Sequence, residues 1–206
     1  MSFQIKEYDL PDARLLQAES GDDYIIWRPD HTAIVLGASN NPLDSIIIAA
    51  VKNDDIPVYK RPSGGETVIL TPNTLVISAV LAPVRLQDVR KRFRAFNDQI
   101  LAAVTAIGIR NVAHRGISDL AIGEQKILGS AVYHSRDRLF YHSVLNVGET
   151  TQTIARYIKH PGREPDYRQG RRHSEFITSL KSVGYQGNYD SIINRIAFHY
   201  QELYSV

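Results

Sequence analysis

Apolar residues at Leu86, Val89, Phe93, Phe96, Ile100, Val104 and Ile107 step along the chain by three or four. That continuous stripe predicts an amphipathic helix over 86–107, and Gly108 supplies its stop. Shorter helices are predicted over 11–19, where Pro11 suits a first turn, and over 45–53 after an Asp44 cap. Two more are predicted over 174–182 and 189–204. Alternating or continuous apolar runs predict strands over 24–27, 33–36, 58–61, 67–70, 75–81, 119–122, 125–134 and 139–147. Several of these strands follow one another with no helix between. The order predicts an α+β fold, a mixed and largely antiparallel β-sheet flanked by helices, rather than a regular βαβ array. No repeat or low-complexity run divides the chain, so 1–206 reads as a single domain. Segment 156–173, RYIKHPGREPDYRQGRRH, is the irregular part: it is polar, carries six lysines and arginines, and reads as a mobile loop or a substrate lid.

Charge and composition narrow the function classes. With 24 basic and 22 acidic residues the net charge is +2, which gives no sign of a polyanion, so no nucleic-acid partner is expected. Arg90, Lys91, Arg92 and Arg94 lie mostly off the apolar stripe and read as a solvated face. No cysteine is present, which removes disulfides, thiolate metal sites and a cysteine nucleophile together. No apolar run approaches the ~20 residues that span a bilayer. The segment 75–84 comes nearest and is broken by Ser78 and Pro83. The first residues lack the apolar core of a signal peptide, so a cytoplasmic location without a membrane partner is expected. The seven histidines are scattered, without the spacing of a metal site, and no metal is expected.

Three segments carry candidate chemistry. In KRPSGGETV (60–68), Gly64 and Gly65 let backbone N–H groups converge on an anion, and Arg61 offers a bidentate grip on a phosphate or carboxylate. The same letters also suit a plain hairpin turn. The segment is neither a Walker loop nor a dinucleotide fingerprint. In SDLAIGEQKILGSAVYHSRDR (118–138), a turn at 122–125 places Lys126 near the start of a strand. Strict alternation sets Lys126, Leu128 and Ser130 on one face and Ile127, Gly129 and Ala131 on the other. A lysine on a strand with small residues suits a ligand lying across that strand; an exposed edge lysine is the plainer alternative. In DRLFYHSVLNVG, His142 interrupts an aromatic and aliphatic strand, where a buried, hydrogen-bonded histidine is a better reading than a general base.

Together these segments resemble the lipoate-protein ligase A family of the biotin/lipoate ligase superfamily, in order and over nearly the whole chain. WRPDHTAIVLGASNNP (27–42) resembles the family's early strand pair and its Gly-x-x-x-Asn-Pro-like turn. KRPSGGETV is similar to the Arg-Arg-x-Ser-Gly-Gly-Gly-x-Val loop. SDLAIGEQKILGSAVYHSRDRLFYHSVLNV resembles the Asn-Asp strand, the Lys-Ile-Ser-Gly-Ser-Ala strand and the following His-rich strand. PDYRQGRRHSEFITSL resembles the late Arg-rich segment.

The resemblance implies a class II aminoacyl-tRNA synthetase/biotin-protein-ligase-like core. It implies activation of lipoate by ATP with Mg to lipoyl-AMP, then transfer to a lysine of a lipoyl acceptor domain. Lys126 matches the family's catalytic lysine, which contacts the acyl carbonyl and the adenylate phosphate. Arg61, Ser63, Gly64, Gly65, Glu66, Thr67, Val68 and Ile69 match the ATP and acyl-adenylate loop. Asp119, Gly129, Ser130 and Ala131 match the facing strands, and His142 a supporting position. Strands around Trp27 and Leu36 would line an apolar acyl slot. No C-terminal accessory domain follows the core, which implies a separate accessory protein as partner. The alternatives are a lipoyl-AMP transferase that relies on a partner for activation, or a non-catalytic relative that binds a lipoyl group or its acceptor. Thioester-forming acyltransferases of the superfamily are closed off, because they need the missing cysteine. Biotin ligase is disfavoured by the absence of a Gly-Arg-Gly-Arg-Arg-Gly loop.

The chain departs from the family pattern at four places. Glu66 replaces the third glycine, Leu70-Thr71 the His-Asp pair, Ser118 the Asn of Asn-Asp, and Leu128 the Ser of Lys-Ile-Ser-Gly. A carboxylate about 4 Å from a phosphate costs about 1 kcal/mol in water-like surroundings and about 4 kcal/mol at an effective dielectric of 20. Glu66 is therefore expected to turn outward, to pair with Lys60 or Arg61, or to mark an altered nucleotide site.

Overall fold

The computed structural model describes residues 4–17 and 23–204. The first half runs β1 (Ile5–Glu7), α1 (Ala13–Gln17), β2 (Asp23–Trp27), β3 (Ala33–Leu36), α2 (Pro42–Ser45), α3 (Ile48–Asn53), β4 (Val58–Lys60), β5 (Val68–Leu70) and β6 (Thr74–Leu81). The second half runs α4 (Val89–Ala106), β7 (Val112–Arg115), β8 (Asp119–Ile122), β9 (Gln125–Ser135), β10 (Arg138–Asn146), α5 (Thr151–Tyr157), α6 (His173–Phe176) and α7 (Tyr189–Tyr204). Two sheets result: an antiparallel one ordered β2-β6-β10-β9-β8-β7 and a smaller mixed one ordered β1-β4-β3-β5.

Period two in the strands and 3.6 in the helices decides the layers. Leu75, Ile77 and Ala79 of β6, with Leu139, Tyr141 and Leu145 of β10, face Phe93, Phe96, Ile100 and Val104 of α4 and Ile192, Ile196 and Tyr200 of α7. Burying one such side chain is worth about 1.5–3 kcal/mol, so this is the main cohesive layer. Tyr141 keeps its hydroxyl satisfied there by donating to Asn97 Oδ1 at 2.7 Å. The intervening residues of the same strands, Val76 and Val144, turn to the opposite face and meet Ala33, Val35 and Tyr59 of the small sheet. The small sheet's outer face packs Ile34, Leu36, Val58 and Ile69 against α3 and α5. The space between the two sheets is where the polar candidates converge.

Several elements differ from the sequence expectations. The stripe of the long helix begins at Val89: Leu86 lies in a 3-10 turn and is 77% exposed. The 45–53 helix divides into α2 and α3, because Ile46 is extended and bridges Ile158. Its cap is Asn41, whose side chain accepts from Leu43 N, not Asp44. The 174–182 helix shortens to the single turn of α6, since Ile177 bridges Lys126 and Thr178 N donates to Lys126 O. Of the predicted 11–19 helix, 13–17 is helical and residues 18 and 19 lie outside the described residues. Strands β1 and β7 and helix α5 carry no periodic signal of their own; α5 is set by its cap, Thr150 Oγ1 accepting from Thr153 N.

Candidate active site

The loop between β4 and β5 folds around Arg61, which is only 4% exposed. Its guanidinium donates through Nε to Ser63 Oγ (3.0 Å), through Nη1 to Val35 O (3.2 Å), and through Nη2 to Gly64 O (2.8 Å) and Glu66 O (2.9 Å). Four donors are thus spent on the protein. As folded, Arg61 shapes the loop, with its guanidinium committed to protein oxygens rather than left as a free fork. Burial lowers its pKa to about 10, opposed by Tyr8 and Glu66, so it stays cationic at neutral pH. Ser63 Oγ continues the chain to His142 Nε2 at 2.6 Å. Burial, then Arg61, pushes His142 well below the ordinary imidazole range, so the ring is neutral. His142 is a buried link in this chain.

The glycines have specific reasons. Gly65 has φ +89°, a region that L side chains rarely adopt. Gly37, after β3, packs so tightly that an added Cβ would lie 2.0 Å from Gly65 O. Asn40 Oδ1 ties these strands' ends together, accepting from Gly37 N (2.8 Å) and Thr67 Oγ1 (3.1 Å).

Lys126 faces this loop because of a β-bulge. In the β8–β9 register Asp119 opposes Gly129 and Leu120 opposes Leu128, but Ala121 opposes Lys126, leaving Ile127 as the extra residue. Strict alternation fails here: Ile127 and Leu128 both enter the helix-side core, and Lys126 shares a face with Gly129. A Cβ on Gly129 would stand 2.7 Å from Lys126 Nζ, so the glycine leaves room for the amine. Lys126 Nζ pairs with Asp119 Oδ1 at 2.9 Å, and Asp119 is 4% exposed. Ala131, two residues on, approaches Gly65, its Cβ 3.8 Å from where a Gly65 Cβ would be. Ser130 points the other way and donates to Ser118 O at 2.6 Å, so it stays outside the cradle formed by the Gly64–Gly65 loop with Lys126, Gly129 and Ala131.

Segment 156–173 covers the Asp119 side. Its centre is Arg168, buried and stacked over Phe176 at 4.7 Å. Arg168 donates to Arg171 O, lies 3.5 Å from Glu164 Oε2, and turns Nη2 toward His160 Nδ1 and His173 Nδ1, both at 3.4 Å. Next to it Tyr167 donates its hydroxyl to Asp119 Oδ2 at 2.8 Å. No motif pointed to Tyr167; a tyrosine within a polar basic run was the only signal. Glu66, half-buried, forms no ion pair among the described residues but lies in the field of Arg61 and Arg168. Of the alternatives for Glu66, an ion pair with Lys60 or Arg61 is not formed among the described residues.

Between the sheets, Trp27 packs with Leu10, Ala33, Val35, Leu70, Val76 and Val144 in an apolar cluster, a lane of contacting side chains rather than an open channel. In register, Trp27 opposes Val76, Val76 opposes Val144, and Val144 opposes Gly129, so the lane leads to the amine of Lys126. Leu36 does not line it: one residue from Val35, it faces the outer cluster, as does the side chain of Ile69. Val68 packs at the lane's edge. Deeper, Asp12 is fully buried and accepts from Ser78 Oγ (2.6 Å) and Tyr8 Oη (2.8 and 2.9 Å); burial raises its pKa. A separate cavity of about 620 Å³ opens beside Ile109, Arg110, Val183 and Tyr185 and shares no residue with the cradle. The cradle is the better candidate because convergent polar groups meet an apolar lane there.

No helix among the described residues is long and apolar enough to cross a membrane. The chain matches the lipoyl protein ligase A/B catalytic domain over residues 7–201. A lipoate-protein ligase A of Psychrobacter cryohalolentis is 31% identical over 137 residues, 66% of this chain and 38% of that ligase. The chain spans 38% to 52% of the length of the curated relatives it matches. Among solved structures, the bi-partite lipoate protein ligase of Thermoplasma acidophilum superposes with a TM-score of 0.77 at 18% identity, over 92% of this chain and 73% of that one. A lipoate-protein ligase A bound with ATP gives 0.75 at 17% identity, over 96% and 83%. At those identities the likeness is one of fold.

Proposed function

For a chain that belongs to the lipoyl protein ligase A/B catalytic-domain family, we propose a lipoate-protein ligase reaction in which residues 1–206 act as a single catalytic domain. The lipoate carboxylate attacks the α-phosphate of ATP, releasing diphosphate and forming lipoyl-AMP. An acceptor lysine amine on a lipoyl domain then attacks the acyl carbonyl, an amide forms, AMP leaves and the amine gives up a proton. The observation that carries this reading is the placement of Lys126 Nζ above Gly129, at the head of an apolar lane and facing the Gly64–Gly65 loop. An ammonium there stabilises charge developing on carbonyl and phosphate oxygens, a contribution of about 3–4 kcal/mol for one preorganised donor. The main chain of residues 64–69 and the strand residues Gly129 and Ala131 would receive the adenylate. The lane from Val144 to Trp27 would receive the acyl chain, and magnesium would enter on the nucleotide phosphates. A separate accessory protein would be a partner in activation, a reading in keeping with the bi-partite make-up of the Thermoplasma acidophilum ligase.

The test is the mass of a lipoyl acceptor domain after incubation with the protein, lipoate, ATP and magnesium, and in parallel with synthetic lipoyl-AMP. A mass gain in both arms is expected. Gain with lipoyl-AMP alone selects transfer over ligation. No gain in either arm, with candidate accessory proteins added, sinks the enzyme reading. Glu66→Gly removes a carboxylate from beside the loop and is expected to raise the ATP-dependent rate; an unchanged or lower rate would show that the Glu66 charge does not oppose the nucleotide.

A further inference from the structure

Asp119 is almost wholly excluded from water, and three protein donors hold its carboxylate. Oδ1 receives Lys126 Nζ at 2.9 Å and Ser118 Oγ at 3.1 Å. Among the described residues, Tyr167 Oη is the donor to Oδ2, at 2.8 Å, from a segment 48 residues downstream. A carboxylate gripped on one oxygen can rotate about its Cβ–Cγ bond; a donor on the second oxygen fixes its plane. Tyr167 is itself aimed by packing. Its ring sits against Phe176 at a centroid distance of 5.0 Å, and its Cε1 lies 3.9 Å from where a Cβ on Gly116 would be. Gly116 has φ +56°, and the same phantom Cβ lies 3.6 Å from Pro165, so the 116–118 turn and the cover close on each other. Burial, then the Asp119 charge, raises the phenol far above its ordinary range, which keeps it a donor.

We propose that Tyr167 is a positioning residue for Lys126, acting through Asp119: it fixes the carboxylate that holds the lysine amine above Gly129. The placement of the lysine thereby depends on the cover segment being closed. The assignment rests on the ligase reading for its consequence in turnover, but its geometric content is independent of that reading.

Two measurements separate them. First, wild-type protein, Tyr167→Phe, Asp119→Asn and the double variant are arylated with trinitrobenzenesulfonate, and labelling of Lys126 is followed by peptide mass spectrometry, with Lys181 as internal reference. Tyr167→Phe is expected to speed Lys126 labelling about three- to tenfold, the scale of one typical net hydrogen bond. Lys181 should be unchanged, and the double variant no faster than Asp119→Asn. Labelling at the wild-type rate in Tyr167→Phe, an equal rise at Lys181, or effects that multiply in the double variant would each overturn the proposal. If Asp119→Asn does not fold, the single variant and its reference lysine still decide. Second, where the wild type transfers lipoyl groups, Tyr167→Phe should lower kcat about tenfold with acceptor KM within about twofold. An unchanged kcat would also overturn the proposal. An inactive wild type defeats the ligase reading while the labelling comparison still decides the role of Tyr167.

Discussion

Gly129→Ala should separate chemistry from stability. The added methyl would stand 2.7 Å from Lys126 Nζ and 2.8 Å from its Cε. Comfortable carbon contacts begin near 3.5 Å, so the amine must retreat by about 1 Å. The obstructed atoms are the free end of a flexible side chain, and Asp119 Oδ1, at 3.8 Å from the same methyl, need not move. A misplacement of about 1 Å costs about 100-fold in rate, or about 2.7 kcal/mol of barrier. Stability changes little. Replacing glycine in a permitted conformation gains about 0.4–1 kcal/mol through the unfolded chain. Weakening the Lys126–Asp119 pair, whose lysine side chain is 30% exposed, costs about 1 kcal/mol or less. Asp119 keeps its donors from Ser118 and Tyr167, so no buried charge is orphaned. The melting temperature should stay within about 3 °C of wild type. The assay is single-turnover transfer from synthetic lipoyl-AMP to a lipoyl domain, with a thermal melt of the same samples. A wild-type transfer rate would refute the idea that Lys126 works from above Gly129. A melt lowered by about 10 °C would refute the claim that only the lysine tip resists the methyl.

Two further outcomes follow from the buried polar groups. Ser63→Ala removes the hydroxyl joining Arg61 Nε to His142 Nε2 and leaves both without that partner in a buried site. A loss of about 2 kcal/mol is expected, a fall of roughly 4–8 °C in the melt, and an unchanged melt would contradict the chain. His173 gives the cover a pH dependence. Its Nε2 pairs with Lys159 O, and its Nδ1 faces Arg168, which also faces His160 and Glu164 and lies in the field of Glu66. Burial, then Arg168, lowers the ring's pKa, so the folded state takes a proton less readily than the unfolded chain. The stability this contributes is complete above an unfolded value of about 6.5 and is lost as pH falls below it. Amide exchange across 160–173, corrected for intrinsic rates and referenced to α4, should therefore rise between pH 7.5 and 5.5. His173→Gln should remove the extra rise; a flat profile in wild type would disprove the dependence.

Long periodic elements were legible in the sequence. The α4 stripe from Val89 onward follows from side-chain period, because burial of one helix face selects that period, while β6 and β10, buried on both faces, follow from apolar runs bounded by turns. Elements whose ends are set by distant main chain were not legible. α6 stops at Phe176 because the next two residues pair with Lys126, and Ile46 breaks a helix to bridge Ile158. Arg61 was visible as a cation beside glycines, yet its role depends on where Val35 O and Glu66 O end up.

The sequence by itself determined which chemistry was available: an arginine, a serine, two glycines and a lysine in order, and no cysteine. It also determined the α+β class, since alternation is a local property of the chain. Only the tertiary structure decided which of those residues meet. One extra residue in β9 carries Lys126 to the face of Gly129, and a single-residue slip of that kind reverses every side chain before it. It likewise spent the donors of Arg61 on the loop, turned Leu36 and Ser130 away, and brought Tyr167 to Asp119. Those outcomes are set by register and long-range packing, which no window of sequence contains.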